Sequence, residues 1–141
     1  MSLFPDVWVV EPIATEPFVQ LSNWRAYECA FPNEEDAPTL HLVGFNLVLK
    51  EGRVSSALTG FDAKKRLAVT ASGRSYQLVG EPGWCLHGQH TFAHWLSMNQ
   101  ARAIRDVTDD LLSTGNGPTR ADGLLRIETI IRTEKRNEPD A

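Results

Sequence analysis

Short apolar or alternating runs separated by tight turns occupy residues 39–83. The first run, Leu40–Leu49, is apolar on both faces, which is typical of a central strand covered on both sides. Three more runs follow after short polar turns: Arg53–Phe61, Arg66–Ala71 and Ser75–Val79. Because strands joined by such short turns pair as antiparallel neighbours, this stretch predicts a four-stranded meander.

Two segments and a loop precede the meander and are expected to border it. Residues 1–23 contain three prolines, each of which removes a donor from a strand ladder, so we expect an extended arm that covers the sheet. Trp24–Phe31 alternates along its length and is rich in aromatic residues, which predicts a further half-buried strand. Pro32–Pro38 is charged and bounded by prolines, which is typical of a mobile surface loop.

After the meander the period of the pattern changes from that of a strand to that of a helix. Between His90 and Ala103 apolar residues recur at helical spacing, and no glycine or proline interrupts them. Phe92 and Trp95 are expected to pack on the open face of the sheet. The next residues, 104–107, predict a short strand, followed by a short helix that begins at Thr108.

The C-terminal part of the chain is less regular. Leu124–Thr133 fits both helical and strand spacing, although its β-branched residues favour a strand. Glu134–Ala141 is a charged tail that we expect to be disordered. Residues 1–141 are therefore predicted to form a single α+β domain, with its core in residues 24–112. The expected architecture is an antiparallel β-meander sheet of five to six strands, with one main helix packed on one face.

Composition places the chain among ordinary globular proteins. Of its 141 residues, 42% are hydrophobic and 23% are charged, and no apolar run approaches the ~20 residues that a membrane span needs. The short apolar run near the N-terminus has no Lys or Arg before it, and two cysteines are too few for a disulfide framework. We therefore expect a cytoplasmic protein that has no membrane partner.

The net charge of −4 is unevenly distributed along the chain. Residues 1–38 hold seven acidic residues and one basic residue, whereas residues 39–141 hold thirteen basic and eleven acidic residues. An acidic surface can bind a basic partner protein, and Glu34, Glu35 and Asp36 in the charged loop are the expected contacts. The alternative is a solvated acidic face that aids solubility.

Cysteine and histidine are concentrated just before and within the predicted helix. Cys85, His87, His90 and His94 lie within ten residues, and thiolate and imidazole are the ligands that zinc prefers. His90 and His94, four residues apart, would share one helix face. The spacing matches no structural zinc motif, and position 91 lacks the glutamate of the H-E-x-x-H pattern. Surface histidines beside a buried cysteine explain the same residues without a metal ion.

Basic residues cluster around adjacent turns of the meander, close to strand aromatics. Such a rim is typical of proteins that bind single-stranded nucleic acid, but a solvated hairpin end protected from edge pairing is favoured over it. The same residues, apart from Arg66, are also candidate contacts for a protein partner. The set comprises Arg53, Lys64, Lys65, Arg66, Arg74 and Tyr76.

Other residues that could carry chemistry have simple structural explanations. His41 lies in the predicted central strand and is interpreted as a hydrogen-bonded core histidine rather than a general base. Asp106, Asp109 and Asp110 could bind a cation, but acids in the first turn of a helix explain them too. The chain contains neither a G-x-S-x-G nucleophile motif nor a glycine-rich phosphate motif. The sequence therefore carries no catalytic signature.

Three segments cover about the central half of the chain: LSNWRAYE (Leu21–Glu28), TLHLVGFN (Thr39–Asn46) and AVTASGRSYQLVGEPG (Ala68–Gly83). Together they resemble small uncharacterised proteins of bacterial plasmids and phages. The shared motifs consist of strands and turns, so the resemblance implies no catalytic residue. It implies an accessory protein of a mobile element that acts on a host complex, for example an inhibitor of CRISPR machinery or of host nucleases.

The expected function is that of a small cytoplasmic, non-catalytic protein-binding protein, with a homodimer through a sheet edge as a further option. An exposed tryptophan among Trp8, Trp24, Trp84 and Trp95 would mark a contact surface. A metal-binding module or metal-dependent enzyme that uses zinc is the first alternative. A weak binder of single-stranded nucleic acid is the second.

Overall fold

The structure is a computed structural model that describes residues 14–34 and 37–113. Within these residues seven strands form one sheet, and two helices pack against it. The strands are β1 (Phe18–Ala30), β2 (Thr39–Asn46), β3 (Glu51–Val54), β4 (Leu58–Asp62), β5 (Leu67–Thr70), β6 (Ser75–Val79) and β7 (Arg102–Asp106). The helices are α1 (Leu86–Asn99) and α2 (Thr108–Ser113). The predictions for Leu124–Thr133 and Glu134–Ala141 lie outside the described residues.

The sheet is mixed, with the order β3-β2-β1-β6-β5-β4, and β7 also pairs with β1. Neighbouring strands run antiparallel except β1 and β6, which pair in parallel from Phe18 opposite Ser75 to Ser22 opposite Val79. The predicted α+β class is confirmed. The predicted antiparallel meander sheet of five to six strands is confirmed only in part, since the described residues form a mixed sheet of seven strands with one parallel pair.

The parallel pair is a consequence of the way the sheet curls. β3 and β4 follow each other in the chain but lie at opposite ends of the strand order. At their junction the Ser55 N–H donates to the Leu42 carbonyl at 2.9 Å, and the Ala71 N–H donates to the Ala57 carbonyl at 2.8 Å. β3 and β4 are therefore two halves of one bent strand. From β1 to β6 the chain crosses the sheet five times in alternating direction, along β1, β2, the bent strand, β5 and β6. The first and fifth passes run the same way, so they pair in parallel where the sheet closes.

β1 is the central strand and is longer than predicted. It begins at Phe18, so the last residues of the expected arm belong to the sheet instead. Its first half pairs with β6 and its second half with β7, while β2 runs along its other edge. Asn23, with φ of 49°, marks the irregularity in the pairing with β2 between Ser22 and Arg25. Pro17 lies just before the strand, where a missing N–H removes no ladder hydrogen bond.

The larger apolar cluster lies inside the curl of the sheet. Trp24, Phe61 and Tyr76 are its largest members, and α2 contributes Leu111. The smaller cluster lies on the outer face, where Phe92 of α1 meets β1 and β2. Burial of both clusters supplies the main driving force for the fold.

α1 covers the outer face of the sheet, as expected of the main helix. The prediction that Phe92 and Trp95 pack on the sheet is confirmed, with Phe92 buried and Trp95 partly buried beside it. The helix ends at Asn99 because Gln100 adopts a left-handed conformation, and its N–H bonds back to the carbonyls of Leu96 and Ser97. The short strand and short helix predicted after it are present as β7 and α2. Neither helix of the described part is long and apolar enough to cross a membrane.

Candidate functional site

The position of α1 is set by a cap at its first turn. Cys85 is the N-cap residue, and its Sγ accepts a hydrogen bond from the Gly88 N–H at 3.2 Å. This contact satisfies one of the N–H groups that a helix N-terminus leaves without a partner. Pro82 and Gly83 lie just upstream, in the segment that leads from β6 to the helix. The helix therefore begins at Leu86, four residues earlier than the apolar periodicity predicted.

Glycines allow α1 to lie close to the sheet. A Cβ atom at Gly88 would be 3.0 Å from the Gly44 carbonyl oxygen, and a Cβ atom at Gly52 would be 2.7 Å from the His87 carbonyl carbon. Both distances are too short for an alanine to fit without movement. The buried side of the helix adds Phe92, whose ring stacks on Tyr27 with centroids 4.7 Å apart. These contacts hold the helix close against β1, β2 and β3.

The opposite side of α1 faces solvent, and we call its residues the α1 outer face. They are Leu86, His87, His90, Ala93, His94, Ser97 and Met98, all of them exposed. The apolar members are unusually open to solvent: Leu86 is 69% exposed and Met98 62% exposed. Trp84, one residue before the cap, is 59% exposed. Trp84 and Leu86 lie two residues apart at the start of the helix, and Met98 lies near its other end. Large apolar side chains exposed near one another are typical of contact surfaces.

The α1 outer face carries no formal charge. Residues 82–101 contain no Asp, Glu, Lys or Arg, although 23% of the whole chain is charged. A solvent-facing helix normally carries charged residues on its outer side. Sequence patterning missed this surface because helical periodicity identifies the buried side of a helix. The absence of charge over twenty residues was the signal that could have found it.

The structure brings two of the four predicted metal ligands together. His90 and His94 lie with ring centroids 4.7 Å apart, one turn from each other on the α1 outer face. His87 packs instead against Phe45, with centroids 5.6 Å apart, and the Cys85 sulfur is used in the helix cap. Within residues 14–34 and 37–113, no group of three or more Cys, His, Asp or Glu side chains is placed to hold a metal ion. The four-ligand zinc site stays a prediction.

The residues proposed as a basic rim are divided between the surface and the interior. Lys64 and Lys65 are exposed in the turn between β4 and β5. Arg53 is only 2% exposed, and Arg74 and Tyr76 are buried as well. The basic rim is therefore smaller than the sequence pattern indicated, because three of its residues are buried and cannot line a surface.

Arg53 is buried in a polar network organised by Glu16. The Arg53 Nη2 atom donates to Glu16 Oε1 at 2.7 Å, and Asn46 Nδ2 donates to Glu16 Oε2 at 3.0 Å. Arg74 Nε donates to the backbone carbonyl of Glu16 at 2.8 Å. Burial by itself would lower the pKa of Arg53, but its hydrogen bonds with Glu16 and Tyr76 outweigh that effect and raise the pKa. The network ties the segment before β1 to the sheet. Its Glu16 carboxylate also supplies the counter-charge for the buried Arg53 guanidinium.

His41 is a core histidine, in agreement with its interpretation from the sequence. Its Nδ1 lies 2.9 Å from the Ser55 carbonyl oxygen and so carries the proton, and its Nε2 lies 2.6 Å from the Thr39 hydroxyl. The ring packs between Phe31 and Trp95, with centroids 5.7 and 4.7 Å away. Burial lowers the pKa of His41 below its ordinary value. A histidine with both nitrogens engaged and no exposure has no access to a substrate.

Two of the three aspartates considered as cation ligands, Asp106 and Asp110, bind arginines instead. Asp106 accepts from Arg25 Nε and from the Thr108 hydroxyl, both at 2.5 Å. Burial alone would raise the pKa of Asp106, but these hydrogen bonds outweigh it and lower the pKa. Asp110 accepts from Arg105 Nη1 at 2.6 Å. The pairs fasten β7 and α2 to each other and to β1.

In the acidic loop, Glu34 is exposed, and Glu35 and Asp36 lie outside the described residues. Trp24 is buried and Trp95 half-buried, so among the described tryptophans only Trp84 is an exposed contact candidate.

The fold and the site together define an α+β protein with a curled mixed sheet that presents an uncharged helix to solvent. No family model, no curated protein and no solved structure matches the chain.

Proposed function

We propose that the protein is a small non-catalytic protein-binding module that docks its partner on the α1 outer face and Trp84. The observation that carries this proposal is the combination of exposed apolar side chains with the absence of charge on a solvent-facing helix. Tryptophan is the residue most enriched among contacts that dominate binding energy. Trp84, Leu86 and Met98 would be the anchors.

The partner is a protein that presents an apolar groove. Charged partner groups would lose water on contact with the α1 outer face and find no opposite charge there, so they are disfavoured. α1 has 14 residues and is therefore about 21 Å long. Two such helices packed side by side bury less than the ~800 Å² per partner of a stable interface. A groove that wraps around the exposed side of the helix and accepts Trp84 buries more, as in known helix-in-groove complexes.

The rigidity of α1 supports this mode of binding. The helix is capped by Cys85, held at short distance by Gly44 and Gly52, and anchored by Phe92 in the outer core cluster. A helix that is already folded and fixed loses little conformational entropy when a partner binds. The expectation that the partner belongs to a host complex comes from the plasmid and phage resemblance, and the docking surface itself does not depend on it.

Site-specific photocrosslinking tests the proposal. A photoreactive amino acid at position 93, in the centre of the α1 outer face, should crosslink a partner in host cells, whereas the same amino acid at position 64 should not. The double substitution Trp84→Ala and Leu86→Ala should reduce crosslinking at position 93 by roughly a hundredfold, since loss of two binding anchors costs several kcal/mol.

Phe18→Ala is the matched control, because Phe18 is also an exposed aromatic residue but lies on β1 outside the α1 outer face. It should leave the crosslink unchanged. Equal crosslinking by the wild-type protein and the Trp84→Ala, Leu86→Ala variant would contradict the proposal. If crosslinks form only between two copies of the chain, the partner is a second copy of this protein and not a protein with an apolar groove.

A further inference from the structure

His90 and His94 form a pair that is separate from the rest of the predicted cluster. They are four residues apart on α1, and this spacing places two side chains on neighbouring turns of the same helix face. Both residues are exposed, and their ring centroids lie 4.7 Å apart. Two histidines at this spacing on one helix face are a known arrangement for binding a single metal ion. The backbone between them is fixed, because Thr91 and Phe92 hold this turn against the sheet.

We propose that His90 and His94 together bind one divalent transition metal ion, with one imidazole nitrogen from each residue. Neutral imidazole is a ligand for Zn²⁺, Cu²⁺ and Ni²⁺, and Mg²⁺ and Ca²⁺ prefer oxygen ligands. No lysine or arginine of α1 opposes a cation, since the helix contains neither. The two histidines fill two coordination positions, and water or a donor from another molecule fills the others.

The order of affinities follows from the ligand type. Two nitrogen ligands without a thiolate should bind Cu²⁺ most tightly and Ni²⁺ and Zn²⁺ more weakly. His90 and His94 belong to the α1 outer face, but the proposed docking anchors are Trp84, Leu86 and Met98, so Ni²⁺ binding by the isolated protein is tested separately from docking.

Calorimetric titration of the untagged, chelator-treated protein with nickel chloride tests the site. The wild-type protein should bind one Ni²⁺ per chain at neutral pH. His90→Ala and His94→Ala should each weaken binding by roughly a hundredfold, because each leaves one ligand and removes the gain from binding through two linked groups. Magnesium chloride should give no binding heat.

His87→Ala is the matched control, since His87 lies on the same exposed side of α1 but packs against Phe45. It should bind Ni²⁺ with unchanged affinity. A second readout is the melting temperature, which Ni²⁺ should raise in the wild-type protein and in the control but not in the His90→Ala, His94→Ala double variant. Unchanged Ni²⁺ affinity in the double variant, or an equal loss in His87→Ala, would overturn the proposal. Circular dichroism of each variant establishes that α1 is intact.

Discussion

Gly52 of β3 lies directly under the first turn of α1, against the carbonyl group of His87. A Cβ atom at position 52 would be 2.7 Å from the His87 carbonyl carbon and nearer still to the carbonyl oxygen. The Thr91 hydroxyl, which donates to the same carbonyl oxygen at 2.9 Å, would also be in close contact with the added atom. Backbone cannot move aside as a flexible side chain does, so an added methyl group must push the helix away from the sheet.

Gly52→Ala is therefore expected to destabilise the protein by about 3 kcal/mol, at the upper end of the usual cost of overpacking. The measurement is the midpoint of urea unfolding, combined with the unfolding slope to give the free energy of unfolding. If α1 moves, the ring stacking of Phe92 on Tyr27 should also be lost, which near-ultraviolet circular dichroism detects.

Gly83→Ala is the control for this substitution. Its added Cβ would meet its nearest neighbour, Asn23, at 3.4 Å, which is an ordinary contact distance. Its free energy of unfolding should stay within about 0.5 kcal/mol of the wild-type value. Equal stability of the two variants would show that the first turn of α1 does not lie against Gly52 of β3.

The sequence predicted those parts of the fold that depend on local pattern. Phe92 and Trp95 were correctly assigned to the buried side of a helix because they repeat at helical spacing. The parallel pairing of β1 with β6 was missed because it joins segments about 57 residues apart, as in Phe18 opposite Ser75, and depends on the bend between β3 and β4. Short turns identify neighbours in the chain, and they do not show where a sheet closes on itself.

The difference between local pattern and tertiary contact also explains which site residues could be predicted from the sequence. The sequence pattern predicts Arg53 and Arg74 on the surface because arginine is rarely buried. Their common partner, Glu16, lies 37 residues before Arg53, and both β1 and β2 come between them in the sequence. Burial of a charge depends on a partner that only tertiary structure supplies. The exposed Trp84, in contrast, lies within an uncharged segment, residues 82–101, that could be recognised in the sequence.

Glu16→Ala should strongly destabilise the protein because it leaves the Arg53 guanidinium buried without its main counter-charge. The second acid near Arg53, Glu51, is 3.6 Å away and partly exposed, so it compensates only in part. Removing one partner of a buried ion pair typically costs 3–5 kcal/mol, and we expect about 3 kcal/mol here. Chemical unfolding of the variant measures the loss.

A double-mutant cycle separates the ion pair from its surroundings. Arg53→Met removes the buried charge, so adding Glu16→Ala to it should cost much less than Glu16→Ala alone. We expect a coupling free energy of about 2 kcal/mol. Strictly additive effects would mean that Glu16 stabilises the fold only through Asn46 and its backbone.

His41 should make stability depend on pH. Burial lowers its pKa in the folded state below the ordinary value of 6.5. As pH falls below about 6.5, the unfolded chain therefore takes up a proton before the folded protein does. Above pH 6.5 His41 should not change the free energy of unfolding. As pH falls through 6.5 toward 5, the free energy of unfolding should decrease.

Urea unfolding at pH 7.5, 6.5, 5.5 and 5.0 measures this dependence. His41→Gln removes the titrating group, so its overall stability is lower but its loss between pH 6.5 and 5.0 should be smaller than that of the wild-type protein. A wild-type protein equally stable at pH 7.5 and 5.0 would contradict the assignment of His41 as a buried neutral histidine.

The two cysteines should differ in reactivity toward thiol reagents. Burial and the neighbouring Glu28 raise the pKa of Cys29 to about 12, and the side chain is fully buried between the sheet and α1. The thiolate is the reactive form of cysteine, so Cys29 should remain unmodified in the folded protein. Cys85 is only half-buried at the N-terminus of α1 and should react.

Brief treatment of the native protein with iodoacetamide, followed by mass spectrometry, should therefore find one modified cysteine, located at position 85. In urea both cysteines should be modified. Cys85→Ser keeps a hydrogen-bond acceptor at the helix cap, and the native variant should show no modification at all. Rapid modification of Cys29 in the native variant would mean that α1 opens away from β1 under native conditions, and that the rigid helix required for docking is not present.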